Sequence, residues 1–150
     1  MNTLYKKSSF FLAMLTCSLI FFACKKDRDN NGENFVMGPN INIYALTNDG
    51  KLLWLNAQNP SNITSQMNIS GLQTGEQIVS IDFRPATGQL YGLGNASRIY
   101  VIDTKTGNAR AVNSTPFNPA LSGSSFAFDF NPTVDRIRLV SDNGQNLRLN

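Results

Sequence analysis

Short apolar runs separated by turn-forming residues dominate the chain after residue 38. The runs contain mainly Val, Ile, Leu, Phe and Tyr, and they are broken by Asn-Asp-Gly, Thr-Gly, Asn-Pro or Asp-Asn-Gly. This alternation is typical of β-strands joined by tight turns. No window of about 11 residues shows a convincing helical period, so the pattern predicts an all-β domain over residues 38–150.

The apolar runs recur at an interval of 47 residues. Three sets of runs share it: 43–46, 90–93 and 137–140; 52–55 and 99–102; and 81–85 and 128–132. A constant interval across several registers indicates an internal repeat. In the third copy the partner of 99–102 is 147–149, one residue later than the interval requires, which predicts a turn lengthened by one residue at 142–144.

A repeat of this length with several short strands is typical of a β-propeller blade, a four-stranded antiparallel sheet that packs between neighbouring blades. In the clearest copy we predict strands at residues 78–83, 89–93, 98–102 and 109–112. Residues 38–150 number 113, about 2.4 repeats, whereas closed propellers have about 4 to 8 blades. We therefore expect an incomplete β-propeller-like repeat of about two and a half four-stranded antiparallel blades, truncated at the C-terminus, whose open blade exposes an apolar face.

The N-terminus has the features of a secretory signal peptide over residues 1–23. Two lysines and no acid precede an apolar run at 10–23, which as a helix is about 21 Å long against a bilayer core of ~30 Å, so a membrane-spanning helix is the weaker interpretation. Residues 21–24, Phe-Phe-Ala-Cys, resemble a bacterial lipobox with Phe in place of the usual Leu. That resemblance implies a lipid on Cys24, through which the protein binds the membrane.

Residues 24–37 are predicted to form a polar linker, since no apolar residue precedes Phe35. Residues 27–32 match the opening of a calcium loop, but the twelfth position is Gly38 instead of a bidentate Glu. A solvated tether is therefore the favoured interpretation. The Cys-Lys-Lys-Asp start resembles that of outer-membrane lipoproteins, which implies a location in the cell envelope, at the outer membrane, with surface exposure left open.

Composition excludes several classes of function. The 150 residues include no His, so a Ser-His-Asp or Cys-His catalytic group cannot form and the commonest metal ligand is missing. Removing residues 1–23 leaves 11 basic against 10 acidic side chains, a charge of +1 that argues against a nucleic-acid partner. Cys17 leaves with the same segment, so the mature chain has no disulfide. We predict no catalytic residue, cofactor or metal site.

Three stretches resemble a known family: 81–94 (IDFRPATGQLYGLG), 97–103 (SRIYVID) and 115–150 (TPFNPALSGSSFAFDFNPTVDRIRLVSDNGQNLRLN). They are similar to the bacterial secreted domain of unknown function 4394, and the resemblance covers roughly residues 41–150. It implies an exported, repetitive protein whose domain continues past residue 150. It implies no activity and no catalytic residues.

Two acidic residues recur with the repeat. Asp82 and Asp129 each lie in an apolar-Asp-Phe pattern on a predicted strand. Paired carboxylates can serve acid-base catalysis, but residues that occur once per blade lie apart around a ring. We predict that both are structural and accept hydrogen bonds from a turn.

Aromatic residues on the predicted strands offer a second candidate site. Trp54, Tyr44, Tyr91 and Tyr100 could stack against sugar rings, but their repeated placement favours packing within or between blades. The sequence thus predicts an exported, lipid-anchored envelope protein that acts as a binding or interaction module for a protein or a glycan. The alternative is the N-terminal part of a propeller enzyme, a hydrolase or lyase, whose active site lies in further C-terminal blades.

Overall fold

A computed structural model of the chain describes residues 37–150, so the predicted signal peptide, Cys24 and nearly all of the predicted linker lie outside the described residues. The described residues form ten β-strands and no helix. In chain order the strands are β1 (Asn42–Leu46), β2 (Lys51–Asn56), β3 (Ile63–Asn68), β4 (Ile78–Arg84), β5 (Gln89–Gly94), β6 (Arg98–Ile102), β7 (Ala109–Ala111), β8 (Phe126–Asn131), β9 (Arg136–Ser141) and β10 (Asn146–Leu149). The predicted all-β class is confirmed.

The strands form three antiparallel sheets in which neighbours in sequence are neighbours in space. Sheet 1 contains β1, β2 and β3, sheet 2 contains β4 to β7, and sheet 3 contains β8, β9 and β10. All four strands predicted for the clearest copy belong to sheet 2, and each predicted end lies within one residue of the observed end. Tight turns between adjacent strands make this meander the simplest way to pair them.

The interval of 47 residues holds in the three sheets. β1, β5 and β9 begin at Asn42, Gln89 and Arg136, and both differences are 47. The hairpin pairs Leu46↔Leu52, Leu93↔Ile99 and Val140↔Asn146 keep the same interval. The predicted lengthened turn at 142–144 is therefore wrong. Asn146 stands at the repeat position of Ile99. Because an alignment that matches apolar residues pairs 99–102 with 147–149 instead, it is displaced by one residue.

Sheet 2 is covered on both faces, which explains why β5 is buried along nearly its whole length. One core, against sheet 1, contains Leu52, Ile78, Leu90, Tyr100, Ile102 and Ala109. The other core, against sheet 3, contains Tyr91, Leu93, Phe128, Phe130, Ile137 and Leu139. Leu90 and Tyr91 are consecutive and point to opposite cores, as the two-residue period of a strand requires.

The segment that connects sheets 1 and 2 is hydrogen-bonded to the chain at the start of β7, the edge strand of sheet 2. Ser70 pairs in parallel with Asn108: its N–H donates to the Gly107 carbonyl (3.0 Å) and its carbonyl accepts from the Ala109 N–H (2.7 Å). A Cβ at Gly71, where φ is +78°, would lie 2.3 Å from the Ala109 carbonyl oxygen. Glycine is therefore required at this close approach.

The faces of sheets 1 and 3 that turn away from sheet 2 differ in character. On sheet 1, Ile43 and Ile63 flank Leu55 in register and are 36 % and 48 % exposed. On sheet 3, Asp129, Arg138 and other polar side chains occupy the corresponding face. The predicted apolar open face is thus wrong for sheet 3, because Arg and Asn stand where the earlier copy has apolar residues.

Candidate binding cleft between sheets 2 and 3

A cleft of about 380 Å³ lies between sheets 2 and 3, beside the segment that connects β7 to β8. Phe117, Phe130 and Tyr91 contribute its aromatic side, and Asn113 and Asn118 lie among its polar residues. Pockets of this size with an apolar wall and a few polar groups are typical small-molecule sites. We take this cleft as the candidate functional site.

A two-armed ion pair between Arg84 and Asp135 forms one charged part of the cleft, and Arg98 and Arg148 also line it. Arg84, at the end of β4, donates from Nε to Asp135 Oδ1 (2.8 Å) and from Nη2 to Asp135 Oδ2, while Nη1 donates to the Tyr91 hydroxyl (3.4 Å). Asp135 lies in the turn between β8 and β9, so the pair joins the two sheets. Hydrogen bonding to Arg84 lowers the pKa of Asp135, and Asp135 raises the pKa of Arg84. Both groups remain charged at neutral pH, so this carboxylate is not a proton donor.

Two residues that line the cleft adopt the left-handed backbone conformation that favours glycine. Ser97 has φ +65° and Asp135 has φ +50°. In the repeat, Ser97 corresponds to Gly50 and Gly144, and Asp135 corresponds to Gly88, all of which also have positive φ. Replacing glycine in this conformation costs about 1–2 kcal/mol per residue.

Side-chain contacts explain why these two positions are not glycine. The Ser97 hydroxyl accepts from the Leu121 N–H (2.9 Å), a bond that glycine could not form. The Asp135 carboxylate holds Arg84, as described above. Each of the two residues with positive φ therefore makes a contact that holds one wall of the cleft in place. Backbone strain that the surrounding structure maintains is often found at binding sites.

The two predicted acidic residues, Asp82 and Asp129, have different surroundings in the structure. Asp82 Oδ2 accepts from the Phe130 N–H at 2.7 Å, so its partner is the neighbouring strand β8 and not a turn. Asp129 is exposed, faces away from sheet 2 and has no hydrogen-bond or ion-pair partner within residues 37–150. The two carboxylates do not share a site. Within residues 37–150 neither accepts a hydrogen bond from a turn, so that part of the prediction is wrong, and the structural role of the two residues stays a prediction.

The aromatic candidates lie mainly in the cores. Tyr100 is fully buried and Tyr91 is 9 % exposed, with its ring edge-on to Phe130 at a centroid distance of 5.0 Å. Tyr44 packs against Phe83 (5.7 Å), and it faces sheet 2 together with its cross-strand neighbour Trp54. Only Tyr91 reaches the cleft.

A largely buried polar cluster between β6 and the segment that leads into β4 was not predicted from the sequence. Glu76, whose side chain is 4 % exposed, forms an ion pair with Arg98 and accepts a hydrogen bond from the Tyr100 hydroxyl. That hydroxyl accepts from the Gln73 N–H (3.2 Å). Burial, and then the hydrogen bond to Glu76, raise the pKa of Tyr100. Because its contacts join the segment before β4 to β6, we assign the cluster to holding this segment on sheet 2, although Arg98 also lines the cleft.

Two further features of the described residues bear on function. Within residues 37–150, no three or more His, Cys, Asp or Glu side chains are grouped so that they could hold a metal ion. The same part of the chain has no helix of the length and apolarity needed to cross a membrane.

The sheets and the cleft define an all-β protein built from repeated antiparallel sheets, with a small cavity between two of them. The family model of a domain of unknown function (DUF4394) matches residues 51–150, which is 100 of the 150 residues. The chain therefore belongs to this family, and the predicted family is confirmed. A comparison with curated proteins found no match.

Proposed function

We propose that this protein is a propeller-type binding module held at the outer membrane of the cell envelope by a lipid on Cys24. Equivalent strands that recur every 47 residues in successive sheets, with sheet 2 packed on both faces, support the propeller arrangement. The lipobox-like residues before Cys24 support the anchor.

The anchor has a direct test. Cells that express the full chain should incorporate radioactive palmitate into it, and the labelled protein should sediment with membranes. Cys24→Ala should abolish the label, because the thiol that accepts the lipid is gone, whereas Cys17→Ala should keep it. Label that persists in Cys24→Ala would refute the anchor.

We further propose that the cleft binds a neutral glycan of about one or two sugar rings, as its volume allows. The observation that carries this proposal is the Arg84–Asp135 ion pair beside Tyr91. The two charges of the pair cancel, and Glu76 neutralises Arg98, so Arg148 at the rim is the one lining charge without a counter-charge among the described residues. The pair offers both a hydrogen-bond donor and an acceptor to sugar hydroxyls. Aromatic side chains suit the apolar face of a sugar ring.

Titration calorimetry with a panel of neutral mono- and disaccharides tests the cleft. Asp135→Gly should weaken binding of a positive sugar by about tenfold or more, because glycine keeps the positive φ but removes the acceptor. Asp142→Asn alters an exposed turn aspartate outside the cleft and should leave binding within about twofold. No binding by any sugar, or equal binding by Asp135→Gly, would refute the proposal.

The same assay has an expected pH dependence. Because the pKa of Asp135 lies below its ordinary value, the carboxylate is ionised at and above about pH 5. Affinity should be constant between about pH 5 and 8 and fall only below about pH 4, as Asp135 becomes protonated. A change in affinity near neutral pH would mean that a group other than Asp135 contacts the ligand.

A further inference from the structure

The face of sheet 3 that turns away from sheet 2 has a row of charges across its three strands. Asp129 on β8 lies opposite Arg138 on β9, and Arg138 lies opposite Arg148 on β10. All three side chains are exposed. Arg138 donates to Asn146 (2.6 Å), and within residues 37–150 neither arginine forms an ion pair. Arg138 and Arg148 lie directly opposite each other and repel, whereas Asp129 attracts Arg138, so the row has one positive charge in excess.

The same row, one repeat earlier, is an interface. The positions 47 residues before are Asp82, Tyr91 and Val101, which lie opposite one another in sheet 2. They face sheet 3, and the Asp82 carboxylate accepts the N–H of a β8 residue at 2.7 Å. Sheet 3 thus keeps the aspartate that binds a neighbouring strand and replaces the two apolar contacts by guanidinium groups.

We infer that this face of sheet 3 docks an acidic polypeptide strand. One backbone N–H of the strand donates to Asp129, as the β8 backbone does to Asp82, and its carboxylates pair with Arg138 and Arg148. The proposal does not depend on a ligand in the cleft.

Two other occupants fit the face less well. A polyanionic polysaccharide could pair with the arginines, but it lacks the backbone N–H that a strand donates to Asp129, as β8 does to Asp82. A second copy of this chain lacks an acidic face among its described residues. Four of its aspartates lie in turns, at Asp49, Asp103, Asp135 and Asp142, and Glu76 is buried. A polypeptide strand supplies both the N–H and the carboxylates.

Fluorescence anisotropy with labelled poly-L-glutamate, added to the full chain at low salt, tests the arginines. Arg138→Gln combined with Arg148→Gln should weaken binding by about tenfold or more. Lys105→Gln combined with Arg110→Gln makes the same change in net charge at exposed residues outside sheet 3, so it should weaken binding by less than about threefold. Equal losses in the two double variants would mean that net charge alone attracts the probe, and would overturn the proposal.

Asp129→Ala gives the sharper test, because nonspecific charge attraction and the proposed hydrogen bond predict opposite changes in the affinity for poly-L-glutamate. Removing an acid strengthens nonspecific attraction of a polyanion, whereas the proposed hydrogen bond requires that Asp129→Ala weaken poly-L-glutamate binding by about fivefold. Dextran sulfate serves as the polysaccharide arm, and Asp129→Ala should strengthen its binding. Stronger poly-L-glutamate binding by Asp129→Ala, or binding of dextran sulfate alone, would overturn the proposal.

Discussion

Glu76→Ala should destabilise the protein by about 3–5 kcal/mol. The Glu76 and Arg98 side chains are 4 % and 18 % exposed, so the variant leaves a largely buried guanidinium without its counter-charge. It also leaves the Tyr100 hydroxyl without its acceptor, in a core where Tyr100 is fully buried. Urea unfolding followed by tryptophan fluorescence measures the free energy of unfolding, since Trp54 lies in sheet 1 beside this core.

A paired substitution separates loss of the ion pair from loss of the space it fills. Glu76→Gln combined with Arg98→Met removes both charges and keeps an acceptor for Tyr100, so it should lie within about 1 kcal/mol of the unsubstituted protein. Asp49→Ala removes an exposed pair with Lys51 and should change stability by less than about 1 kcal/mol. If Glu76→Ala has as small an effect as Asp49→Ala, the cluster does not hold the segment before β4 on sheet 2.

The strands of sheet 2 were predictable because each is a short apolar run bounded by turn residues. Gly88 and Gly107 both have positive φ in the turns that flank β5 and β6, so the chemistry of those turns was visible in the sequence. The third copy was harder to align. Asn146 and Arg148 stand at the repeat positions of Ile99 and Val101. An alignment that requires apolar residues at these positions therefore displaces the third copy by one residue.

The cleft could not be predicted in the same way, because its contacts join residues from different sheets. Arg84 and Asp135 are 51 residues apart and meet only when sheet 3 packs on sheet 2. One signal was nevertheless present in the sequence. Asp135 stands where the previous copy has Gly88, and Ser97 stands between two copies that have glycine. A substituted turn glycine in a repeat therefore identifies a position where a side chain has acquired a contact.

The repeat also supplies a matched pair of variants for the predicted structural aspartates. Asp82→Ala should lower the free energy of unfolding by about 1.5–3 kcal/mol, because a charged acceptor of the Phe130 N–H is lost between sheets 2 and 3. Asp129→Ala, at the equivalent position, should change it by less than about 0.5 kcal/mol in the isolated protein, because that side chain is exposed and has no partner within residues 37–150.

Urea unfolding of both variants decides between two roles for the recurring aspartate. If its role is to fix the conformation of its own strand, the two substitutions should have similar effects, since both strands carry the same apolar-Asp-Phe pattern. If its role is to bind the next sheet, only Asp82→Ala should destabilise, and Asp82→Asn, which keeps an oxygen acceptor, should recover part of the loss. Equal effects would also remove the basis for assigning Asp129 to a docked strand, because that assignment transfers the Asp82 contact from one sheet to the next.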